Sequence, residues 1–238
     1  MIAAEAVGPT RARPGLPRPR PGAGVGPRRR CGAALIAWAL PDTSVALARP
    51  AALVFQRLAD TAAGDSQKRG EYLINLSNWL SDLGRREEAL AAIEEAVAAY
   101  RQLAAARRDA FLPDLAMSLN NQSLRLSDLG RPEEALAAIE EAVTIRRQLA
   151  AARPDAFLPD LAMSLNNQSV LLSGLGRREE ALAAIEEAVT IRRQLADAWP
   201  QVYSARLAAS LRQLASLLEA AVRKPEADTA RAEAEDLE

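Results

Sequence analysis

The sequence predicts an all-α fold, a solenoid of antiparallel helix pairs stacked on a 46-residue repeat. Three observations carry that prediction. Residues 111–156 recur without a gap as residues 157–202, changed only at Leu124/Val170, Arg125/Leu171, Asp128/Gly174, Pro132/Arg178, Ala151/Asp197, Arg153/Trp199, Asp155/Gln201 and Ala156/Val202. Gly84, Gly130 and Gly176 carry the same step back through a looser copy. Leu211, Leu214, Leu218, Ala227 and Ala234 carry it forward through a degenerate one.

Each unit reads as two helices. In 111–156, Leu115, Leu119, Leu126 and Leu129 form a helical stripe interrupted by Gln122. Pro113 suits the first helical position, where a missing N–H costs nothing. Asp114 then falls in the first turn, which the helix dipole favours. Gly130 stops the helix, because glycine accepts the left-handed conformation of a C-terminal turn. The second helix is expected from near Pro132 to about Ala151. Glu133 and Glu134 lie at its positive end, and Arg146 and Arg147 towards its negative end. Leu136, Ile139 and Val143, with Ala135, Ala142 and Leu149, make a broad apolar face. One hairpin cannot bury both stripes, so stacking on neighbours supplies the core.

Residues 165–191, LNNQSVLLSGLGRREEALAAIEEAVTI, resemble the tetratricopeptide repeat. Ser169 stands where that family prefers glycine or alanine, and Leu172 at its aromatic or large apolar position. Ala181 and Ala188 match its two close-contact alanines. The long period and the Leu-Asn-Asn opening are most similar to the kinesin light chain variety. The resemblance covers about residues 70–238. It implies a right-handed α-solenoid whose first helices line the concave side. Met117, Asn120, Asn121, Leu124, Ser127 and Asp128 of one unit would then face a groove. So would Met163, Asn166, Asn167, Val170, Ser173 and Gly174 of the next. Asn75, Asn121 and Asn167, continued by Gln213, make a ladder along it. A carboxamide donates and accepts hydrogen bonds, so the ladder can hold an extended peptide backbone, as the resemblance to kinesin-light-chain-like arrays implies. The alternative is that these side chains brace neighbouring helices. The sequence lacks the paired basic residues with which the family clamps chaperone C-termini.

At 238 residues the chain suffices for one extended array or two small domains. Aromatic residues are only 4%, so the core must be built from Ala, Leu, Ile and Val. There is no histidine and a single cysteine, Cys31. That excludes an internal disulfide, the usual nitrogen/sulfur zinc sites, and Ser–His or Cys–His nucleophiles. The Glu pairs at 87–88, 94–95, 133–134, 140–141, 179–180 and 186–187 recur at the same place in every unit. A catalytic pair would be set apart from its copies, so these read as solvated helix faces. Gly22, Gly24 and Gly26 lack the strand and helix of a nucleotide fingerprint. No catalytic residue, cofactor or metal is expected.

Taken in order, residues 1–30 hold Pro9, Pro14, Pro17, Pro19, Pro21 and Pro27 and seven arginines against Glu5. This Pro/Arg-rich arm is expected to be disordered. It is a basic arm for nucleic acid or a plain tail; the lack of interleaved aromatics favours the tail. Residues 31–66 should hold N-terminal helices. The apolar run CGAALIAWAL is too short to span a membrane and reads as a short helix over 33–40. Its long arginine-rich lead is unlike a secretory signal, so a cytoplasmic location is expected. Pro50 is expected to open a helix over 51–63, ended by Gly64, the remnant of an earlier repeat. Residues 67–110, 111–156 and 157–202 form repeats 1, 2 and 3. Residues 203–238 form a degenerate repeat or cap, with a helix over Ala205–Val222 and a polar one from Pro225. Gln122 and Gln168 stand where the neighbouring repeats have Leu76 and Leu214. They are either a drift copied by duplication or a pair satisfied by specific hydrogen bonds.

The function expected is a non-enzymatic scaffold that binds a protein or peptide in its concave groove, through Asn75, Asn120, Asn121, Asn166, Asn167, Gln213, Met117 and Met163. The alternative is a regulatory array belonging to a larger signalling protein, with catalysis elsewhere. Nucleic acid enters only through the arm, and no membrane partner is expected.

Overall fold

The computed structural model describes residues 45–237. They form helices α1 (Val45–Thr61), α2 (Ser66–Asp82), α3 (Arg86–Ala106), α4 (Arg108–Asp128), α5 (Pro132–Ala152), α6 (Pro154–Gly174), α7 (Arg178–Ala198), α8 (Pro200–Ala220) and α9 (Lys224–Glu235). No strand occurs among the described residues. Each helix packs on the one before and the one after, and α2 also touches α4. The chain is therefore an α-solenoid of hairpins. The expectations for the arm, the 33–40 helix and the export signal lie outside the described residues.

Glycine sets the turn inside three hairpins. Gly84, Gly130 and Gly176 have φ of 71°, 68° and 76°. The next residue then donates back across the turn, Arg131 N–H to the Leu126 carbonyl at 2.9 Å and Arg177 N–H to that of Leu172 at 2.9 Å. Nothing crowds these glycines, so the requirement is conformational rather than steric. The fourth hairpin keeps the turn without glycine. Val222 stands there at φ 62°, and Arg223 N–H still reaches the Leu218 carbonyl at 2.8 Å. A β-branched residue in this conformation costs about 1–2 kcal/mol, so the flanking helices must hold it.

An arginine follows each turn at the N-cap of the second helix. It offers no cap acceptor, but it reaches the glutamate of the first turn. Arg131 Nε donates to Glu134 Oε1 at 2.6 Å, and Arg85 and Arg177 repeat the pattern with Glu88 and Glu180. That bond holds the Glu134 carboxyl below its usual value. The other glutamate pairs are also partly absorbed by the stack. Arg101 reaches Glu141 and Arg147 reaches Glu187, both at 2.5 Å, from one second helix to the next. Each such exposed pair is worth at most about 1 kcal/mol.

The link from a second helix to the next first helix is a single extended residue: Arg107, Arg153 or Trp199. Each covers the aromatic ring four residues on. Arg107 lies 4.8 Å over Phe111 and Arg153 4.8 Å over Phe157, while Trp199 meets Tyr203 at 6.4 Å. This geometry corrects three expected helix starts. Pro113 is not the first helical residue; α4 begins at Arg108 and carries Pro113 inside. Likewise α8 begins at Pro200 rather than Ala205, and α1 begins at Val45 with Pro50 inside. An interior proline forfeits one backbone bond. In α4 the preceding turn still packs, because Phe111 and Leu112 are buried against the stack. Pro154 and Pro200 do occupy the first turn. Gly64 lies beyond the end of α1 at Thr61.

The core repeats with the sequence. Ala89, Ala135 and Ala181 are sealed, as are Ala96, Ala142 and Ala188, so the helices approach closely. Ile93, Ile139 and Ile185 of the second helices are sealed as well, as are Leu119, Leu165 and Leu211 of the first helices. Each such side chain contributes roughly 1.5–3 kcal/mol. In α9 only Ala227, Ala230 and Ala234 are buried. Arg231 replaces the isoleucine and turns outward to Glu219 and Asp228.

Candidate functional site

The first helices α2, α4, α6 and α8 carry the residues singled out above, and those residues do not form one uniform row. Asn120 of α4 is only 2% exposed. Its amide oxygen accepts from the Ser164 hydroxyl at 2.9 Å and from Asn167 Nδ2 at 3.2 Å, both on α6. Arg146 Nη1, from α5, approaches the same oxygen at 3.5 Å. Arg146 is itself 2% exposed and also donates to the Asp160 carbonyl at 2.8 Å and to the Ser164 hydroxyl. Burial disfavours its charged form, and the Asp160 carboxylate opposes that effect. Guanidinium nevertheless keeps its proton. A buried cation without acceptors is costly, so this cluster ties α5 and α4 to α6.

The cluster recurs one repeat later. Asn166 accepts from the Ser210 hydroxyl at 2.8 Å and lies 3.4 Å from Arg192 Nη1. Arg192 donates to the Arg206 carbonyl at 2.8 Å. Gln213 takes the place of Asn167 and donates to the Asn166 carbonyl at 3.4 Å and to the Ser169 hydroxyl. One repeat earlier the cluster is absent. Ile74 and Tyr100 stand at those positions, both buried.

These contacts bear on the two roles weighed for the amides, ligand contact and bracing. Asn120 is sealed, and its amide oxygen is spent on Ser164 and Asn167 of α6. Asn167, Asn166 and Gln213 are half-buried and spend donors or acceptors between repeats. Asn75 donates to the Glu71 carbonyl of its own helix at 2.9 Å. Asn121 is half-buried with no hydrogen-bond partner among the described residues. Met117, four residues before Asn121, and Met163, four before Asn167, are each 39% exposed, while most other large apolar residues described are buried. Gln122 and Gln168 are half-buried, neither bonded to each other nor sealed from solvent. That removes the reading in which specific bonds satisfy the pair.

Sequence reasoning missed Arg146, reading it as a partner for the helix dipole. The signal was present: Arg146 falls on the stripe of Ile139 and Val143, in register with Tyr100. It also missed Arg206, which stands in register with Asp114 and Asp160.

Among the described residues no group of side chains is arranged to hold a metal ion. No helix there is long and apolar enough to cross a membrane.

The tetratricopeptide repeat model matches residues 70–105, 115–152 and 161–197. The chain belongs to the tetratricopeptide repeat family. Solved structures agree on the fold. BtubC (BKLC) from P. vanneervenii is 21% identical at a TM-score of 0.67, over 80% of this chain and 72% of that one. A putative kinesin light chain with nearly identical TPR-like repeats, from Podosopora anserina, is 17% identical at a TM-score of 0.64, over 86% of this chain and 90% of that one. MamA is 12% identical at a TM-score of 0.54, over 80% and 88%. No curated protein matches the sequence. Tetratricopeptide repeat arrays are typically scaffolds for protein–protein interaction rather than enzymes.

Proposed function

We propose that the protein is a cytoplasmic, non-enzymatic scaffold that takes an extended peptide segment of a partner protein along its first helices. The observation that carries this reading is the surface left over once the braces are assigned. Met117 and Met163 stay exposed one repeat apart, and Asn121, one turn on from Met117 along α4, keeps an unspent amide. Methionine adapts to varied apolar side chains, and a free carboxamide meets a peptide backbone as donor and acceptor. A Rap protein of similar fold was solved in complex with Competence and Sporulation Factor, at a TM-score of 0.52 and 12% identity over 81% of this chain and 59% of that one.

The test is selection of random peptides displayed against the intact protein. A selected peptide should lose about tenfold in affinity with Met117→Ala or Asn121→Ala, at unchanged melting temperature. Failure to select any peptide, or affinity indifferent to both substitutions, sinks the reading.

A further inference from the structure

Repeats 2 and 3 differ at eight positions, and four of those fall on one stretch, the link that leaves the second helix. Ala151, Arg153, Asp155 and Ala156 of the α5–α6 link become Asp197, Trp199, Gln201 and Val202 of the α7–α8 link. All of these residues are exposed, so core packing does not account for the exchange. The α5–α6 link is charged at its centre. There Arg153 covers Phe157, and Asp155 stands in the first turn of α6. The α7–α8 link has lost both of those charges and gained apolar surface. Trp199 is 50% exposed and Val202 57%, and the half-buried Tyr203 adjoins them.

An opposite charge flanks this patch on each side. Asp197 lies two residues before Trp199, exposed in the last turn of α7. It makes no ion pair among the described residues. Arg206 lies about two turns beyond Trp199 along α8 and is also exposed. It stacks over Tyr203 at 5.8 Å and faces Arg192, which it repels. No carboxylate stands within ion-pair distance of it among the described residues. Trp199, Val202 and Arg206 fall at the i, i+3 and i+7 spacing of one helix face.

The order along the chain is therefore acid, aromatic, aliphatic, base. Such a patch is complementary to itself. A two-fold contact makes every pairing twice, once in each direction. It can set Asp197 of each copy against Arg206 of the other, with Trp199 and Val202 meeting between them. The centre is then free of charges that would have to be desolvated, and the ion pairs lie on a solvated rim.

We infer that the α7–α8 link is a contact between two copies of this chain, isologous, with Trp199 and Val202 at its centre and the Asp197–Arg206 pair on each side. The second copy's carboxylate also offsets the repulsion between Arg206 and Arg192. So few residues, against roughly 20–30 a side in a standard interface, make the association weak and dependent on concentration.

Sedimentation equilibrium of the intact protein, over about a hundredfold range of concentration, tests this. A monomer–dimer equilibrium is expected. Trp199→Arg gives this link the residue of the α5–α6 link and should weaken the dimer about tenfold or more. Asp197→Arg should weaken it by a similar factor, through like charges set against each other. Adding Arg206→Asp to Asp197→Arg restores the pair with its signs exchanged, and should return most of the affinity. The new carboxylate then faces Arg192 as Asp160 faces Arg146, an arrangement this fold already holds. Trp199→Arg and Asp197→Arg should leave the melting temperature of dilute protein unchanged. A protein that stays monomeric throughout overturns the contact. So does a dimer indifferent to Trp199→Arg. A double variant no tighter than Asp197→Arg overturns the exchange of charges between copies, and species that grow beyond a dimer overturn the two-fold arrangement.

Discussion

The first and second junctions of the stack hold the same backbone with opposite chemistry. Between repeats 1 and 2 the space is filled by Ile74 and Tyr100, with Gly70 giving way to the ring. Between repeats 2 and 3 the same places hold Asn120, Arg146 and Ala116, with Ser164 and Asn167 completing a hydrogen-bonded cluster. The apolar version needs shape complementarity and a glycine. The polar version needs every donor and acceptor present at once. The fold therefore fixes the spacing of helices and leaves open what fills it. The polar filling is then copied with its repeat, which is why an amide row along the first helices is weaker evidence of a ligand than it looks.

The largest expected effect comes from breaking the polar version halfway. Asn120→Ile puts the first junction's residue into the second. It leaves Arg146 buried with fewer acceptors and strands Asn167. A loss of about 2–4 kcal/mol is expected in urea unfolding. Completing the exchange with Arg146→Tyr and Ala116→Gly should recover most of it, because the apolar solution already works one repeat earlier. If the single change is neutral, the cluster is ornamental. If the triple variant stays as unstable as the single, the two junctions are not interchangeable.

Gly70 tests the apolar side. A Cβ there would lie 2.7 Å from Tyr100 Cε2. Tyr100 is 2% exposed and cannot swing away. Glycine to alanine inside a helix ordinarily gains about 1 kcal/mol. Here overpacking should outweigh that gain and leave Gly70→Ala about 1–2 kcal/mol less stable. Combined with Tyr100→Leu, the alanine should turn stabilising. A gain in the single variant would mean that the ring has room.

Much of the architecture was legible in sequence because repetition averages out local ambiguity. The glycine step fixed the hairpin turns, and the sealed alanines lay where the family resemblance put them. The starts of the first helices were not legible. Pro113 satisfies the rule for a first helical residue, and nothing local announces a one-residue link at Arg107. The distinction between braces and free groups was not legible either. Asn120 and Asn121 are adjacent and identical; only the helix's angular step puts one in the core and leaves the other at its edge. A residue type states what bonds are possible, whereas burial decides which are made.

The smallest effect separates the junctions by charge and by pH. Asp114 and Asp160 are the same residue one repeat apart. Asp114 has no cation beside it: burial, and then the Glu71 carboxylate, push its pKa above the ordinary 3.8. Asp160 instead faces Arg146. A carboxyl whose folded pKa is raised binds its proton more readily folded than unfolded, so its ionisation weakens the fold as pH rises through that folded value. Asp114→Asn should therefore raise the melting temperature at neutral pH. The gain should fade as pH falls through the raised value towards 3.8 and vanish below it. Its size should stay below about 1 kcal/mol, since the group is only half-buried. Asp160→Asn should show no such gain at neutral pH, because it removes the charge that offsets Arg146. Paired thermal melts across an acid-to-neutral series check both. Equal responses from the two variants would mean that the junctions share one electrostatic environment, and the contrast between them would then rest on packing alone.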